Sequence, residues 1–68
     1  MINADQAKKI LRDKYAGNQL DGKHGDIESF DYYEPENVYE AVFTSFRLFV
    51  LSAETGEVVY TLDLWDAV

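Results

Sequence analysis

Near the start of the chain, apolar residues recur at the spacing of one helical face. The four positions are Ala7, Ile10, Leu11 and Tyr15. An α-helix brings residues at this spacing onto one stripe. Asn3, followed three residues later by Gln6, has the pattern of a capping box, which marks a helix N-terminus. We therefore predict an amphipathic helix that ends near Ala16, with Gly17 as a left-handed C-cap.

Beyond the helix, short apolar and aromatic segments alternate with turn residues. A polar loop rich in Gly, Asn and Asp covers residues 18–25, and strands are predicted over residues 26–33, 38–43, 46–51 and 58–64. Residues 34–37, 44–45 and 53–56 separate these strands, and Gly56 suits the last turn because it can adopt a positive φ. The pattern favours a single α+β domain over residues 1–68, with one N-terminal helix packed on a three- to four-stranded antiparallel sheet.

The third predicted strand is apolar on both faces. Phe46, Leu48 and Val50 alternate with Arg47, Phe49 and Leu51, whereas a single helix can cover one face of the sheet only. In the last strand we expect Val58, Tyr60, Leu62 and Leu64 to form the buried face. Two interpretations of the second apolar face follow. Either it is an outward patch that binds protein, or the loop 18–25 and the segment Leu64-Trp65 cover it.

Composition and charge narrow the possible functions. The 68 residues contain no cysteine, ten aromatic residues and a net charge of −7, so we expect a folded domain without disulfides. Residues 24–68 carry ten acids against Arg47 alone, a balance that disfavours direct binding to nucleic acid or to anionic membranes and favours a basic partner. No signal-peptide pattern is present, which predicts a cytoplasmic protein, or an extracytoplasmic one if this domain is cut from an exported protein.

Catalytic and metal-binding patterns are absent from the sequence. His24 is the only histidine and lies in a glycine-rich loop, with no second nitrogen or sulfur ligand nearby for a zinc site. No nucleophile elbow or phosphate-binding loop occurs. We therefore predict a protein that is not an enzyme and that uses no catalytic residue, cofactor or metal.

The order of the elements resembles the PepSY domain. The residues that carry the resemblance are the capped helix with Ala7 and Ile10, the strand segment 38–42 (VYEAV) and the closing hairpin 51–58 (LSAETGEV). The family's hairpin commonly reads VDAxTGEV, and Leu51 and Ser52 replace its first two residues here. The resemblance implies a small α+β module that binds or restrains a partner, as an inhibitory propeptide or a sensor domain, without catalytic residues.

Two functional hypotheses follow, together with a third, a subordinate structural domain of a larger assembly, that the sequence does not distinguish from the first. The first is a small protein-binding or inhibitory module, either monomeric or homodimeric, that acts through the sheet surface and an acidic rim. Its candidate partner-binding residues are Tyr39, Phe46, Leu48, Phe49, Glu28, Glu36 and Glu40. The second is an acidic decoy, of the kind that phages encode, that mimics nucleic acid. Alternate strand residues lie about 6.6 Å apart, a spacing that can imitate phosphates. The acids that suggest it are Asp26, Glu28, Asp31, Glu34, Glu36 and Glu40.

Overall fold

One α-helix and a four-stranded antiparallel sheet make up the domain. The computed structural model describes residues 1–67. Its main elements are α1 (Ala4–Tyr15), β1 (Ile27–Tyr33), β2 (Val38–Phe43), β3 (Arg47–Ser52) and β4 (Val58–Asp63). Short 3₁₀ helices at Gln19–Asp21 and Leu64–Ala67 complete it. The strands lie in chain order β1-β2-β3-β4, each antiparallel to the next. The predicted α+β fold is confirmed, with four strands rather than three.

The helix begins as predicted but ends differently. The Asn3 side chain accepts the Gln6 N–H and the Gln6 side chain accepts the Asn3 N–H, both at 2.8 Å, which completes the capping box. At the other end, Ala16 leaves the helix in an extended conformation. Gly17 has φ +142°, outside the left-handed helical range, and exchanges two 2.8 Å backbone hydrogen bonds with Gly25. The predicted C-cap is therefore wrong, because this loop contact determines the Gly17 conformation.

The core lies between the helix and one face of the sheet. Its buried members are Ala7, Leu11, Tyr39, Ala41, Phe43, Phe49, Leu51 and Ala53. The Tyr15 ring, from the last turn of α1, stacks on Phe49 with 4.0 Å between the centroids. The Tyr39 hydroxyl donates to the Ile2 carbonyl oxygen at 2.9 Å, so this buried polar atom has a partner. We call the helix-covered side of the sheet the inner face.

A β-bulge in β4 changes which side chains are covered. Val58 pairs with Leu51 and packs against the core, whereas Tyr60 pairs with Val50, so Val59 is an extra residue. A bulge of this kind shifts the alternation of the strand by one position. Tyr60 is consequently 54% exposed. The prediction that Val58 and Tyr60 share one buried face is therefore wrong.

Gly25 is the glycine at which we expect a substitution to cost most. Both Gly25 (φ +80°) and Gly22 (φ +81°) occupy the left-handed region, where a Cβ costs about 1–2 kcal/mol. At Gly25 the added Cβ would also overlap the Thr44 hydroxyl, whereas at Gly22 it would meet nothing within 4 Å. Gly25→Ala should therefore lower the free energy of urea unfolding by more than Gly22→Ala, its matched control. Equal losses would show that the packing of the loop against Thr44 contributes nothing.

Candidate functional site

The side of the sheet opposite the helix, the outer face, carries three cross-strand rows of side chains. Directly paired residues in antiparallel strands point to the same side, so the register defines each row. The rows are Tyr33-Val38-Ser52, Asp31-Glu40-Val50-Tyr60 and Ser29-Val42-Leu48-Leu62. Seven of these eleven side chains are apolar or aromatic. Along each strand, residues that belong to these rows alternate with residues of the inner face.

The helix and the 18–25 loop both pack on the inner face. His24, from this loop, lies 5.5 Å from Phe49 and 6.4 Å from Phe43, measured between ring centroids. Of the two segments considered as a cover for the second face, this loop therefore lies on the inner face instead. Trp65 is 68% exposed and packs edge-on against Phe46, 4.9 Å between centroids. The outer face thus lacks the α1 layer that protects the core.

A shallow depression lies on the outer face. Its volume is about 490 Å³, and its lining residues are Tyr33, Glu36, Val38, Glu40, Val50 and Tyr60. The two valines come from the central strands, and the two tyrosines come from the edge strands β1 and β4. Tyr33 is 43% exposed and Tyr60 54% exposed. The depression therefore combines an aliphatic centre, two accessible aromatic rings and two carboxylates.

Two carboxylates lie next to each other on this face. Asp31 and Glu40 are direct cross-strand partners, an arrangement of like charges that destabilises a sheet. Four of the six bases lie on α1, and Lys23 lies in the loop. Arg47 alternates with Leu48 on β3, so it belongs to the inner face, and its Nε donates to the Thr61 hydroxyl at 2.9 Å. Within residues 1–67, neither Asp31 nor Glu40 forms a salt bridge with a base.

The row of six acids predicted from the sequence is divided in the structure. Asp26 is hydrogen-bonded to Arg12, 2.9 Å from Nε to Oδ1. The Arg12 hydrogen bond, together with the Ile27 N–H, lowers the pKa of Asp26 below its usual value. Glu34 and Glu36 lie in the β1–β2 turn, and Glu28 is exposed beside the β1 bulge. Of the six, Asp31 and Glu40 form the pair on the outer face.

The predicted partner-binding residues fall into three groups. Leu48 and Glu40 lie on the outer face, and Glu36 lines its depression. Tyr39 and Phe49 are only 5% and 3% exposed, in the core beneath the helix. Both side chains are therefore buried in the core and not presented on the surface, which corrects their assignment as binding residues.

Phe46 and Glu28 lie outside the depression. Phe46 forms part of the β2–β3 turn with φ +67°, a left-handed conformation that costs a non-glycine residue energy, and its ring contacts Trp65. Sequence reasoning missed Tyr33, Val38, Val50 and Tyr60 as candidates. Their common signal is the cross-strand register, and for Tyr60 this register also depends on the position of the β4 bulge.

His24 is held within the protein rather than presented at a cleft. Its Nδ1 is 3.1 Å from the Ser45 hydroxyl, and its ring is surrounded by Tyr15, Phe43 and Phe49. Within residues 1–67, no group of three or more His, Cys, Asp or Glu side chains is placed to hold a metal ion. In the same residues, no helix has the length and apolar character that crossing a membrane requires.

The chain matches no protein-family model, no curated protein and no solved structure. The resemblance to the PepSY domain therefore rests on the residues quoted from the sequence and stays a prediction.

Proposed function

We propose that this protein is a non-catalytic binding module whose outer face receives a segment of a partner protein. The observation that supports this most is the apolar sheet face opposite α1, which carries a depression lined by two carboxylates and two exposed tyrosines. Exposed apolar surfaces with polar rims are typical of protein–protein interaction sites. The partner segment should carry a lysine or arginine between apolar side chains, because the face offers carboxylates and no base.

The depression suits a long basic side chain. The aliphatic stem of lysine or arginine would pack on Val38 and Val50, since such stems commonly lie along apolar surface. The rings of Tyr33 and Tyr60 offer faces for a cation–π interaction. Glu36 and Glu40 would neutralise the charged group, and the partner's cation would in turn relieve the repulsion between Glu40 and Asp31.

The more specific part of this proposal is that binding inhibits the partner. A module that occupies a partner's basic surface prevents that surface from contacting anything else, which agrees with the inhibitory role that the PepSY resemblance implies. The decoy hypothesis draws less support from the geometry. Phosphate mimicry requires a regular row of free acids, whereas Asp26 is bound to Arg12 and apolar side chains occupy most of the outer face.

A peptide titration followed by NMR tests the proposal. The probe is a short peptide of alternating leucine and lysine, added to ¹⁵N-labelled protein. We expect amide shifts to change at Val38, Glu40, Val50 and Tyr60, on the outer face, with little change on α1. The affinity should fall as salt increases, because part of the attraction is between exposed charges.

A peptide of alternating leucine and glutamate is the matched control. It has the same length and the same apolar residues, so only the sign of its charge differs. We expect it to leave the outer-face amides unchanged. Equal binding of both peptides, or shifts that cluster on α1 instead of the outer face, would contradict the proposal.

A further inference from the structure

β4 lies at one edge of the sheet and has features that favour pairing with another strand. β4 is the last strand of the sheet, so one side of its backbone has no strand neighbour within residues 1–67. Its residues 58–62 are uncharged and include neither lysine nor proline, the residues that commonly protect sheet edges from association. Val59 and Tyr60 are 58% and 54% exposed. We infer that a second copy of this chain pairs with β4, which joins two sheets into one of eight strands.

The opposite edge differs in the features that oppose association. β1 contains two acids, Glu28 and Asp31, within seven residues, and a bulge lies between Ile27 and Ser29. The two acids weaken edge-to-edge pairing, whereas a bulge is common to both edges, since β4 has one at Val58 and Val59. Pairing of β1 with the β4 of another copy would leave a free β4 edge at one end and a free β1 edge at the other, so further copies would add and form a filament. Pairing of β4 with β4 closes at a dimer.

The distribution of charge favours this contact in spite of the net charge of −7. Among residues 59–63, only Asp63 is charged. The acids of the outer face, Asp31 and Glu40, lie on β1 and β2, so two or three strands separate them from the new contact. Two such sheets therefore meet at the least charged edge that each one has.

A two-fold axis at Thr61 gives the best register. It places Thr61 opposite its own copy, Tyr60 opposite Leu62 of the second copy, and Asp63 opposite Val59 of the second copy. Tyr60 and Leu62 both belong to the outer face, so their new pairs are apolar and continue its rows across the dimer. The two Asp63 residues then lie about 13 Å apart along the strands, beyond the Debye length at physiological salt. The bulge at Val58 and Val59 limits the pairing at its other end.

Sedimentation equilibrium of the whole chain and three variants tests the inference. The wild type should have twice the chain mass of 7.8 kDa. Thr61→Lys places two ammonium groups beside the axis and should raise the dimer dissociation constant by about tenfold or more. Thr61→Val removes the hydroxyl contacts with Arg47 and Leu48 without adding charge, and it should remain dimeric. Ser29→Lys adds the same charge on β1 and should also remain dimeric.

If Thr61→Lys does not fold, an NMR measurement on the wild type tests the same inference. In a mixture of isotopically labelled and unlabelled protein, we expect a contact between the Thr61 α-protons of the two copies. A wild type that is monomeric at all concentrations would overturn the inference. So would a dimer that lacks this contact, or one that Ser29→Lys dissociates as strongly as Thr61→Lys. None of these results depends on the binding of the leucine–lysine peptide.

Discussion

Phe49→Asp is expected to unfold the domain, whereas Leu48→Asp, one residue earlier on β3, is expected to leave it folded. Phe49 is 3% exposed and lies against Tyr15 and Phe43 on the inner face. Leu48 is half-buried on the outer face, opposite the side of the sheet that α1 covers. The two substitutions introduce the same charge at adjacent positions, so their difference measures which face of the strand is the core.

The expected magnitudes differ by several kcal/mol. Loss of a buried phenylalanine side chain costs about 3–5 kcal/mol, and an unpaired buried carboxylate adds several kcal/mol. A chain of this size has a total stability of about 3–10 kcal/mol, so Phe49→Asp removes most or all of it. Leu48→Asp should cost about 1–2 kcal/mol, because the new carboxylate stays in contact with water.

Amide chemical-shift dispersion and urea unfolding measure both variants. Phe49→Asp should give the narrow dispersion of an unfolded chain without urea, and Leu48→Asp should give a dispersed spectrum and a cooperative transition. A folded Phe49→Asp with wild-type stability, or an unfolded Leu48→Asp, would mean that the assignment of the two sheet faces is wrong.

Glu40→Lys is expected to weaken binding of the leucine–lysine peptide by about tenfold or more, equivalent to about 1.4 kcal/mol, without destabilising the fold. The substitution replaces an acid of the depression with a base, so the peptide's ammonium groups are repelled. It also replaces the like-charge pair between Glu40 and Asp31 with an opposite-charge pair. The free energy of unfolding should therefore rise by about 0.2–1 kcal/mol.

Glu54→Lys is the matched control for Glu40→Lys. It changes the net charge equally but lies exposed in the β3–β4 turn, away from the depression. We expect its effect on peptide affinity to be small and to disappear at high salt. If both variants weaken binding equally, the net charge of the protein attracts the peptide and the depression has no specific role.

Local features of the chain were predictable to within a residue or two. The capping box at Asn3 and Gln6 depends on contacts three residues apart, and the β2 bounds of Val38–Phe43 follow from a run of residues that favour strands. The turn with Gly56, at φ +77°, likewise follows from local chemistry. Gly17 was predicted incorrectly, because its partner Gly25 is eight residues away and belongs to a contact that no local pattern describes.

The sequence indicated the types of residue that form the candidate site, but it did not indicate where on the fold they lie. The sequence by itself established an apolar third strand, an excess of acids in its second part and one helix to cover two sheet faces. It did not establish which face the helix covers, because alternation along a strand distinguishes two faces without identifying the buried one. Tertiary packing decided that Phe49 is core and that Leu48 faces outward.

The third strand is therefore apolar on both faces for two different reasons. Its inner face stabilises the domain through the helix, and its outer face holds part of the depression through Val50. The bulge at Val58 and Val59 then turns Tyr60 toward that depression. A bulge is an irregularity in the pairing of two strands, and it depends on contacts between residues that are distant along the chain. The position of Tyr60 in the depression could therefore be determined only from the folded sheet.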